Sequence, residues 1–284
     1  MEVEILSPQG YCAGVTNAIN MARLAKKEHL DKNVYVLGML VHNKEVIDEL
    51  TKENIITIYD KNKTYEELIK LIPNDSVIIF TAHGHDEKLD AIAKSKNLII
   101  YDATCSKVKR NLIRIKEAIN NNRDVIYIGE KNHPESLASL SISNKVSFYD
   151  KDLDLSKLNN PLVINQTTLN ILSLKDIHND ILSKINAEIE DEICPTTRLR
   201  QEAIEKLDDS FDLIIVVGDI ASNNSKKLLE IAKTSHPHTS SIMISSLNEF
   251  DKEMLKNKKK VALASGASTP NKTINDIYSF IKNY

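Results

Sequence analysis

Cysteine is scarce in this chain, with only three among 284 residues. An odd number cannot be fully paired, so a disulfide framework of the kind found in small secreted domains is not expected. Long apolar runs are also missing, since stretches such as Leu213–Val217 are far shorter than the ~20 residues that cross a bilayer. The first residues lack the basic and apolar regions of a signal peptide. We therefore expect a cytoplasmic protein with no membrane partner.

Two further absences narrow the class of ligand. The net charge is only −3, so the basic surface that nucleic acid requires is not expected. Neither a Gly-x-Gly-x-x-Gly motif nor a Walker lysine motif occurs, which argues against nucleotide binding.

No stretch rich in Pro, Gly or Ser separates one part of the chain from another, and 42% of the residues are hydrophobic, enough for a packed core. The domains of the chain should therefore be joined tightly.

The three cysteines occupy equivalent places in the sequence. Cys12, Cys105 and Cys194 lie roughly 90 residues apart, and each follows a strand-like run and precedes a helical pattern. The clearest case is 98–105, where an apolar run ends at Cys105 and an amphipathic pattern begins. A rare residue that returns at near-equal spacing in the same context predicts an internal repeat.

Within each repeat, short apolar strands alternate with helices, and polar clusters follow the strands. This alternation is typical of parallel sheets covered by helices, in which ligands bind beyond the carboxyl ends of the strands. We expect an α/β fold: a trefoil of three lobes related by a pseudo-threefold axis, each a small parallel sheet flanked by helices. The expected lobes are residues 13–104, 105–193 and 194–284. The third lacks a closing strand, which residues 1–12 are expected to supply.

The cysteines have two interpretations. A lone cysteine is often a small buried hydrophobe, but equivalent placement in three repeats favours a shared role as metal ligands. A position at a helix N-terminus lowers the pKa of a thiol and so favours the thiolate. Structural zinc usually takes four ligands from short spacings, and no Cys-x-x-Cys is present. Three distant thiolates are therefore better suited to a [4Fe–4S] cluster with an open fourth iron.

Seven polar residues follow strands and could donate hydrogen bonds to phosphate oxygens. They are His42, His83, His133, Thr167, Ser222, Asn224 and Ser268. Helix capping is the better explanation of any single one of them, so the prediction depends on their convergence. Glu135 has two interpretations of equal weight: a proton donor if it is buried, or a first-turn carboxylate that complements a helix dipole.

Taken together, the ordered motifs resemble the family of 4-hydroxy-3-methylbut-2-enyl diphosphate reductases over essentially the whole chain. The motifs are Gly10-Tyr11-Cys12-Ala13-Gly14-Val15, Val41-His42-Asn43, Thr81-Ala82-His83-Gly84, Asp102-Ala103-Thr104-Cys105, His133-Pro134-Glu135, Gln166-Thr167-Thr168, Ile193-Cys194, Arg200-Gln201-Glu202-Ala203 and Gly266-Ala267-Ser268. The resemblance implies a trefoil around one central [4Fe–4S] cluster per chain, ligated by Cys12, Cys105 and Cys194. It implies reductive removal of the substrate hydroxyl to give isopentenyl and dimethylallyl diphosphate, with ferredoxin or flavodoxin as electron donor.

The same resemblance implies roles for the polar residues. Glu135 is expected to donate a proton, and Thr167 to lie near the substrate hydroxyl. The diphosphate is expected to contact His42, His83, His133, Ser222, Asn224 and Ser268. One departure from the family pattern is Asn223, which stands where a phosphate-binding serine is common and whose amide can still donate a hydrogen bond.

Two other interpretations are weighed against this one. A three-lobed cluster enzyme of the quinolinate synthase type would also take one cysteine from each lobe, but it lacks the His-Pro-Glu and Gln-Thr-Thr motifs. A non-catalytic iron–sulfur sensor would not need a carboxylate beside an open iron, and it would usually carry a DNA-binding segment, which the sequence does not show.

Overall fold

A computed structural model describes residues 1–284. The strands are β1 (Glu2–Ile5), β2 (Val34–Leu37), β3 (Ile55–Ile58), β4 (Val77–Phe80), β5 (Ile99–Asp102), β6 (Val125–Ile128), β7 (Val146–Phe148), β8 (Leu162–Asn165), β9 (Glu188–Glu190), β10 (Leu213–Val217), β11 (Ser240–Ile244) and β12 (Lys260–Ser265). The helices are α1 (Ala13–Glu28), α2 (Lys44–Lys52), α3 (Tyr65–Leu71), α4 (Lys88–Ser95), α5 (Ser106–Asn120), α6 (Pro134–Leu140), α7 (Ile171–Lys184), α8 (Pro195–Glu205), α9 (Asn223–Ser235) and α10 (Asn271–Lys282). None of these helices is both long and apolar enough to cross a bilayer.

The strands form three four-stranded sheets, and every pairing is parallel. Their orders are β3-β2-β4-β5, β7-β6-β8-β9 and β1-β12-β10-β11. The expected α/β class, with three small parallel sheets flanked by helices, is confirmed. In the last sheet the edge strand β1 pairs with β12, Val3 lying opposite Val261, so its fourth strand comes from the N-terminal end of the chain.

The central strands consist almost entirely of apolar residues because helices cover both faces of each sheet. In β10, Ile214 and Val216 pack into one cluster with Leu228 of α9. The intervening residue Ile215 packs into a second cluster with Ile274 of α10. Successive side chains of one strand point to opposite faces, so a strand of this kind must be apolar at every position.

The chain divides into two compact units. The first contains Met1–Cys12, Thr168–Asp176 and Ile193–Tyr284, and the second contains Ala13–Thr167 and Ile177–Glu192. The sheet with β1 lies in the first unit, and the other two sheets lie in the second. The arrangement of three lobes about a threefold axis stays a prediction.

The strands are shorter than the apolar patterns indicate, and this shortening positions the polar residues. The pattern predicts a strand over 77–84, but β4 ends at Phe80. A strand over 162–169 is likewise expected, and β8 ends at Asn165. The polar ends of both segments leave the ladder because their side chains form local contacts, such as that of Thr81 Oγ1 with His83 Nδ1 at 3.2 Å. They therefore lie in loops at the carboxyl edge, where ligands bind in parallel sheets.

Candidate functional site

Three imidazole rings meet in the second unit. His42 follows β2, His83 follows β4 and His133 precedes α6. The ring centroids of His42 and His83 are 4.4 Å apart, and that of His133 lies 5.5 Å from each of them. The structure thus brings together the three histidines that the sequence predicts as diphosphate contacts.

Burial favours the neutral form of His83 and His133. It lowers the pKa of His83 well below its ordinary value, and the neighbouring His42 and His133 add to the effect. The pKa of His133 falls to about 3, first through burial and then through His42. The backbone N–H of Glu135 donates to His133 Nδ1 at 3.1 Å, which places the proton of the neutral ring on Nε2. His133 therefore offers an N–H donor without a charge.

The same tautomer bears on whether the imidazole cluster could hold a metal ion. One nitrogen from each ring lies within 4.8 Å of the others, a spacing that permits a shared ion. A metal bound at Nε2 of His133 would move the ring proton to Nδ1, where it would face the N–H of Glu135. A metal at Nδ1 would break the same hydrogen bond. The cluster is thus better arranged to donate hydrogen bonds to an anion.

Glu135 lies in the first turn of α6 and is only 2% exposed. Its Oε1 accepts a hydrogen bond from the backbone N–H of Thr167, and its Oε2 accepts one from Thr167 Oγ1, both at 2.9 Å. Burial raises the pKa of Glu135 to about 7, although the two hydrogen bonds from Thr167 act in the opposite direction. At neutral pH this carboxyl group can therefore both hold and release a proton, which is the property that acid catalysis needs.

The start of α9, in the first unit, carries the second group of predicted residues. Ser222 caps the helix by accepting a hydrogen bond from the N–H of Ser225 at 3.3 Å. Both polar atoms of the Asn224 amide are buried without a hydrogen-bond partner. Asn223 contacts Thr168 Oγ1 through Nδ2 at 3.5 Å. A buried amide without partners at a helix N-terminus is suited to an anionic ligand, because the helix dipole also favours negative charge there.

The remaining predicted residues fall in both units. Ser268 is buried in the loop after β12, in the first unit with Cys12 and Cys194, whereas Cys105 belongs to the second unit. All three cysteines are partly buried, and none of them forms a disulfide. Each lies at the start of a helix: Cys105 and Cys194 cap α5 and α8, and Cys12 directly precedes α1.

The donor set of the first unit fits an anionic iron–sulfur cluster. Cys12 and Cys194 interact electrostatically with the guanidinium of Arg200, and Arg200 Nε is buried without a hydrogen-bond partner. A fixed cation beside these two cysteines would offset the negative charge of a cluster bound through their sulfur atoms. The sequence indicates no role for Arg200 beyond its place in a family motif.

Two glutamines, which the sequence marks only as members of family motifs, hold the segments before and after Thr167, one in each unit. The side chain of Gln166 accepts the N–H of Glu130 at 2.9 Å. Gln201 of α8 donates to the carbonyl of Leu169 at 2.8 Å and accepts the N–H of Ile171 at 2.9 Å. Both glutamines are fully buried, so these segments have little freedom to move.

Comparison with known proteins agrees with this geometry. The family model described as LytB protein matches residues 3–282. Among curated proteins, 4-hydroxy-3-methylbut-2-enyl diphosphate reductase of Macrococcus caseolyticus is 37% identical over 100% of this chain and 90% of its own length. The enzyme of the same name from Malacoplasma penetrans is 35% identical over 99% of this chain and 97% of its own length.

Solved structures agree as well. The E-1-hydroxy-2-methyl-but-2-enyl-4-diphosphate reductase of Plasmodium falciparum superposes with a TM-score of 0.88 at 30% identity, covering 98% of this chain and 87% of that one. A second structure, described as the terminal enzyme of the non-mevalonate pathway, superposes with a TM-score of 0.70 at 26% identity over 100% of both chains. These matches confirm the resemblance and give no support to the quinolinate synthase type or to a sensor. The chain belongs to the LytB protein family, whose members are iron–sulfur enzymes.

Proposed function

We propose that this protein reduces 4-hydroxy-3-methylbut-2-enyl diphosphate to isopentenyl diphosphate and dimethylallyl diphosphate. The curated relatives that align with essentially the whole chain are named as this reductase. In the reaction the allylic C–O bond breaks, a C–H bond forms, and one water leaves. The balance requires two electrons and two protons. We propose ferredoxin or flavodoxin as the source of the electrons and the cytoplasm as the compartment, where thiols stay reduced.

The observation that carries the proposal is the contact between Glu135 and Thr167. A buried carboxyl group with a pKa of about 7 holds a proton at neutral pH in the absence of bulk water. The hydroxyl of Thr167, at 2.9 Å from Glu135 Oε2, can take that proton and pass on its own. This pair is suited to protonating a departing hydroxyl group, which otherwise leaves as the poorer leaving group hydroxide.

We propose two sets of contacts for the diphosphate. The first is the imidazole cluster of His42, His83 and His133, in which the low pKa values of His83 and His133 make both of these rings neutral donors. The second consists of Ser222, Asn223, Asn224 and Ser268. Asn224 supports this assignment most directly, because a buried amide without partners loses hydrogen-bonding energy until a ligand restores it.

We propose Cys12, Cys105 and Cys194 as the protein ligands of one [4Fe–4S] cluster with an open fourth iron. When bound, such a cluster supplies single electrons and a Lewis-acidic iron, which is the part of the reaction that side chains cannot provide. The chain contributes the thiolates, the anion contacts that orient the substrate, and the proton held at Glu135. Thr167 keeps the carboxyl group oriented through its backbone N–H.

The test is turnover of the hydroxylated diphosphate by anaerobically prepared holoenzyme with a chemical reductant, alongside iron and sulfide counts on the same sample. Glu135→Gln should keep the iron content and lose nearly all turnover. Glu117→Gln, on the exposed face of α5 in the same unit, is the matched control and should behave as wild type. Fully loaded wild type that does not consume the diphosphate would refute the function, and active Glu135→Gln would refute the proton-donor role.

A further inference from the structure

The first turns of α8 carry an arginine in an unusual environment. Arg200 is only 3% exposed, although arginine is rarely buried without a charged partner. It lies on the same face of α8 as the buried residues Thr197 and Ile204. The ionisable groups that interact electrostatically with its guanidinium are Cys12 and Cys194. The helix that starts at one cysteine thus directs a buried cation toward two of them.

The guanidinium also joins two distant segments of the first unit. Its Nη2 donates to the carbonyl of Gly10 at 2.7 Å, and its Nη1 donates to the carbonyl and Oγ of Ser265 at 2.6 and 2.9 Å. The N–H of Gly10 donates to the same Oγ at 3.2 Å. Two residues later, the N–H of Cys12 donates to the carbonyl of Ala267 at 3.0 Å. Arg200 therefore fastens the Cys12 loop to the end of β12.

The loop has little room for another conformation. Gly10 has a φ of +70°, and a Cβ there would lie 1.9 Å from Asn271 Oδ1. A glycine is required both by the backbone angle and by the close approach. The geometry of the loop is thus fixed by Gly10 on one side and by Arg200 on the other.

The buried charge itself needs compensation. Arg200 is a cation at neutral pH, because a guanidinium group keeps its proton throughout that range. Its contacts at Gly10 and Ser265 are with uncharged groups. A buried cation with only neutral partners is costly, and ionised sulfur nearby would offset the cost. Arg200 Nε, buried and without a partner, leaves one further donor for such a group.

We infer that Arg200 is a positioning residue that holds the Cys12 loop relative to Cys194 and, through its buried charge, raises the reduction potential of the iron–sulfur cluster. The inference rests on the proposed ligand roles of these two cysteines. The two effects have different origins. Positioning depends on the planar fork of N–H donors that the guanidinium presents to Gly10 and Ser265. The reduction potential depends on charge, because a nearby cation favours the more negative, reduced state of a cluster.

Two substitutions separate these effects. Arg200→Met removes both the charge and the fork, whereas Arg200→Lys keeps a charge but cannot reach Gly10 and Ser265 together with fixed geometry. The control is Lys206→Met, which makes the same change in net charge just after the same helix. The side chain of Lys206 is 72% exposed, so its charge is screened by water.

The measurements are anaerobic redox titration of the holoenzyme and the rate of iron release to a chelator, neither of which depends on turnover. We expect a lower midpoint potential for Arg200→Met and a nearly unchanged one for Arg200→Lys and Lys206→Met. Both Arg200 variants should release iron roughly tenfold faster or more, as expected for loss of charge-assisted hydrogen bonds. Failure of Arg200→Met to assemble a cluster, with Arg200→Lys and Lys206→Met assembling one, supports the role of the charge.

Three outcomes would overturn the inference. A midpoint potential of Arg200→Met equal to that of wild type would refute the role of the charge. Iron release at the wild-type rate in both Arg200 variants would refute the positioning role. Full cluster content in a variant that lacks the Cys12 or the Cys194 thiol would show that this cysteine is not a ligand, and would remove the basis of both roles. Inactive wild-type enzyme with normal titration and release data would refute the proposed function and leave this inference standing.

Discussion

Replacing Glu135 with glutamine changes the charge of the buried carboxyl group while keeping its shape. The fold raises its pKa from 4.5 to about 7 because burial outweighs the two hydrogen bonds from Thr167. At about 1.4 kcal/mol per pKa unit, ionised Glu135 costs wild type about 3 kcal/mol of folding free energy. This cost is absent below pH 4.5 and grows as the pH rises, because the Glu135 carboxyl group ionises at a lower pH in the unfolded chain than in the folded protein. It is complete above about pH 7, so Glu135→Gln should be the more stable protein there.

The same substitution should slow turnover by a factor on the order of 10² to 10⁴, the usual contribution of a general acid. In wild type, turnover should decline as the pH rises through about 7, because the proton at Glu135 is lost. The assay is infrared titration of the holoenzyme, comparing wild type with Glu135→Gln. The carbonyl band of the protonated carboxyl group should disappear with a midpoint near pH 7 and be absent from the variant.

Two results would refute this reasoning. A midpoint near the ordinary value of 4.5 would mean that the carboxyl group is solvated and not buried as the structure shows. Wild-type turnover by Glu135→Gln, with the band assigned to Glu135, would mean that its proton does not take part in the reaction.

Three further predictions concern other residues of the proposed site. Thr167→Val removes the hydroxyl that lowers the pKa of Glu135, so the infrared midpoint should move to higher pH while turnover falls. Asn224→Ala should raise the KM for the diphosphate but leave the free energy of unfolding, measured by denaturant titration, within about 1 kcal/mol of wild type, because the amide has no partner to lose. An unchanged KM would exclude Asn224 from the site. The low pKa of His133 predicts stability that is complete above pH 6.5 and lost as the pH falls toward about 3, since the unfolded chain takes up the proton first. His133→Gln should show a weaker acid dependence in thermal unfolding between pH 4 and 6.5, and an identical dependence would contradict the assignment.

The sheets could be predicted from the sequence because their central strands are almost entirely apolar. All five residues of β10 and all four of β4 and β8 are buried. Such runs occur where helices cover both faces of a parallel sheet, so the fold class follows from the pattern itself. The strand ends were less predictable, since β4 stops where Thr81 begins to contact its own loop.

The site could be predicted as a set of residue types but not as a set of contacts. The polar residues after strands are visible in the sequence. The hydrogen bond between Glu135 and Thr167, in contrast, joins the first turn of α6 to a loop 32 residues later in the sequence. The proton position on His133 depends on the N–H of Glu135. Each of these depends on tertiary contacts that no local pattern encodes.

Arg200 shows most clearly what the sequence conceals. Arginine normally marks the exposed face of a helix, and its carbonyl partner Gly10 lies 190 residues away. A signal does exist: Thr197, Arg200, Gln201 and Ile204 share the spacing of a buried helix face. An arginine within such a stripe is a sign of an internal anion or of backbone carbonyls that need donors.

The most direct test of the account is the iron and acid-labile sulfide content of anaerobically reconstituted protein, in wild type and in single cysteine-to-serine variants. The account predicts about four irons and four sulfides per wild-type chain, the content of one [4Fe–4S] cluster. It predicts a loss of that content on replacing Cys12, Cys105 or Cys194. Full iron content in any one of the three variants, or zinc in place of iron in the wild type, would contradict it.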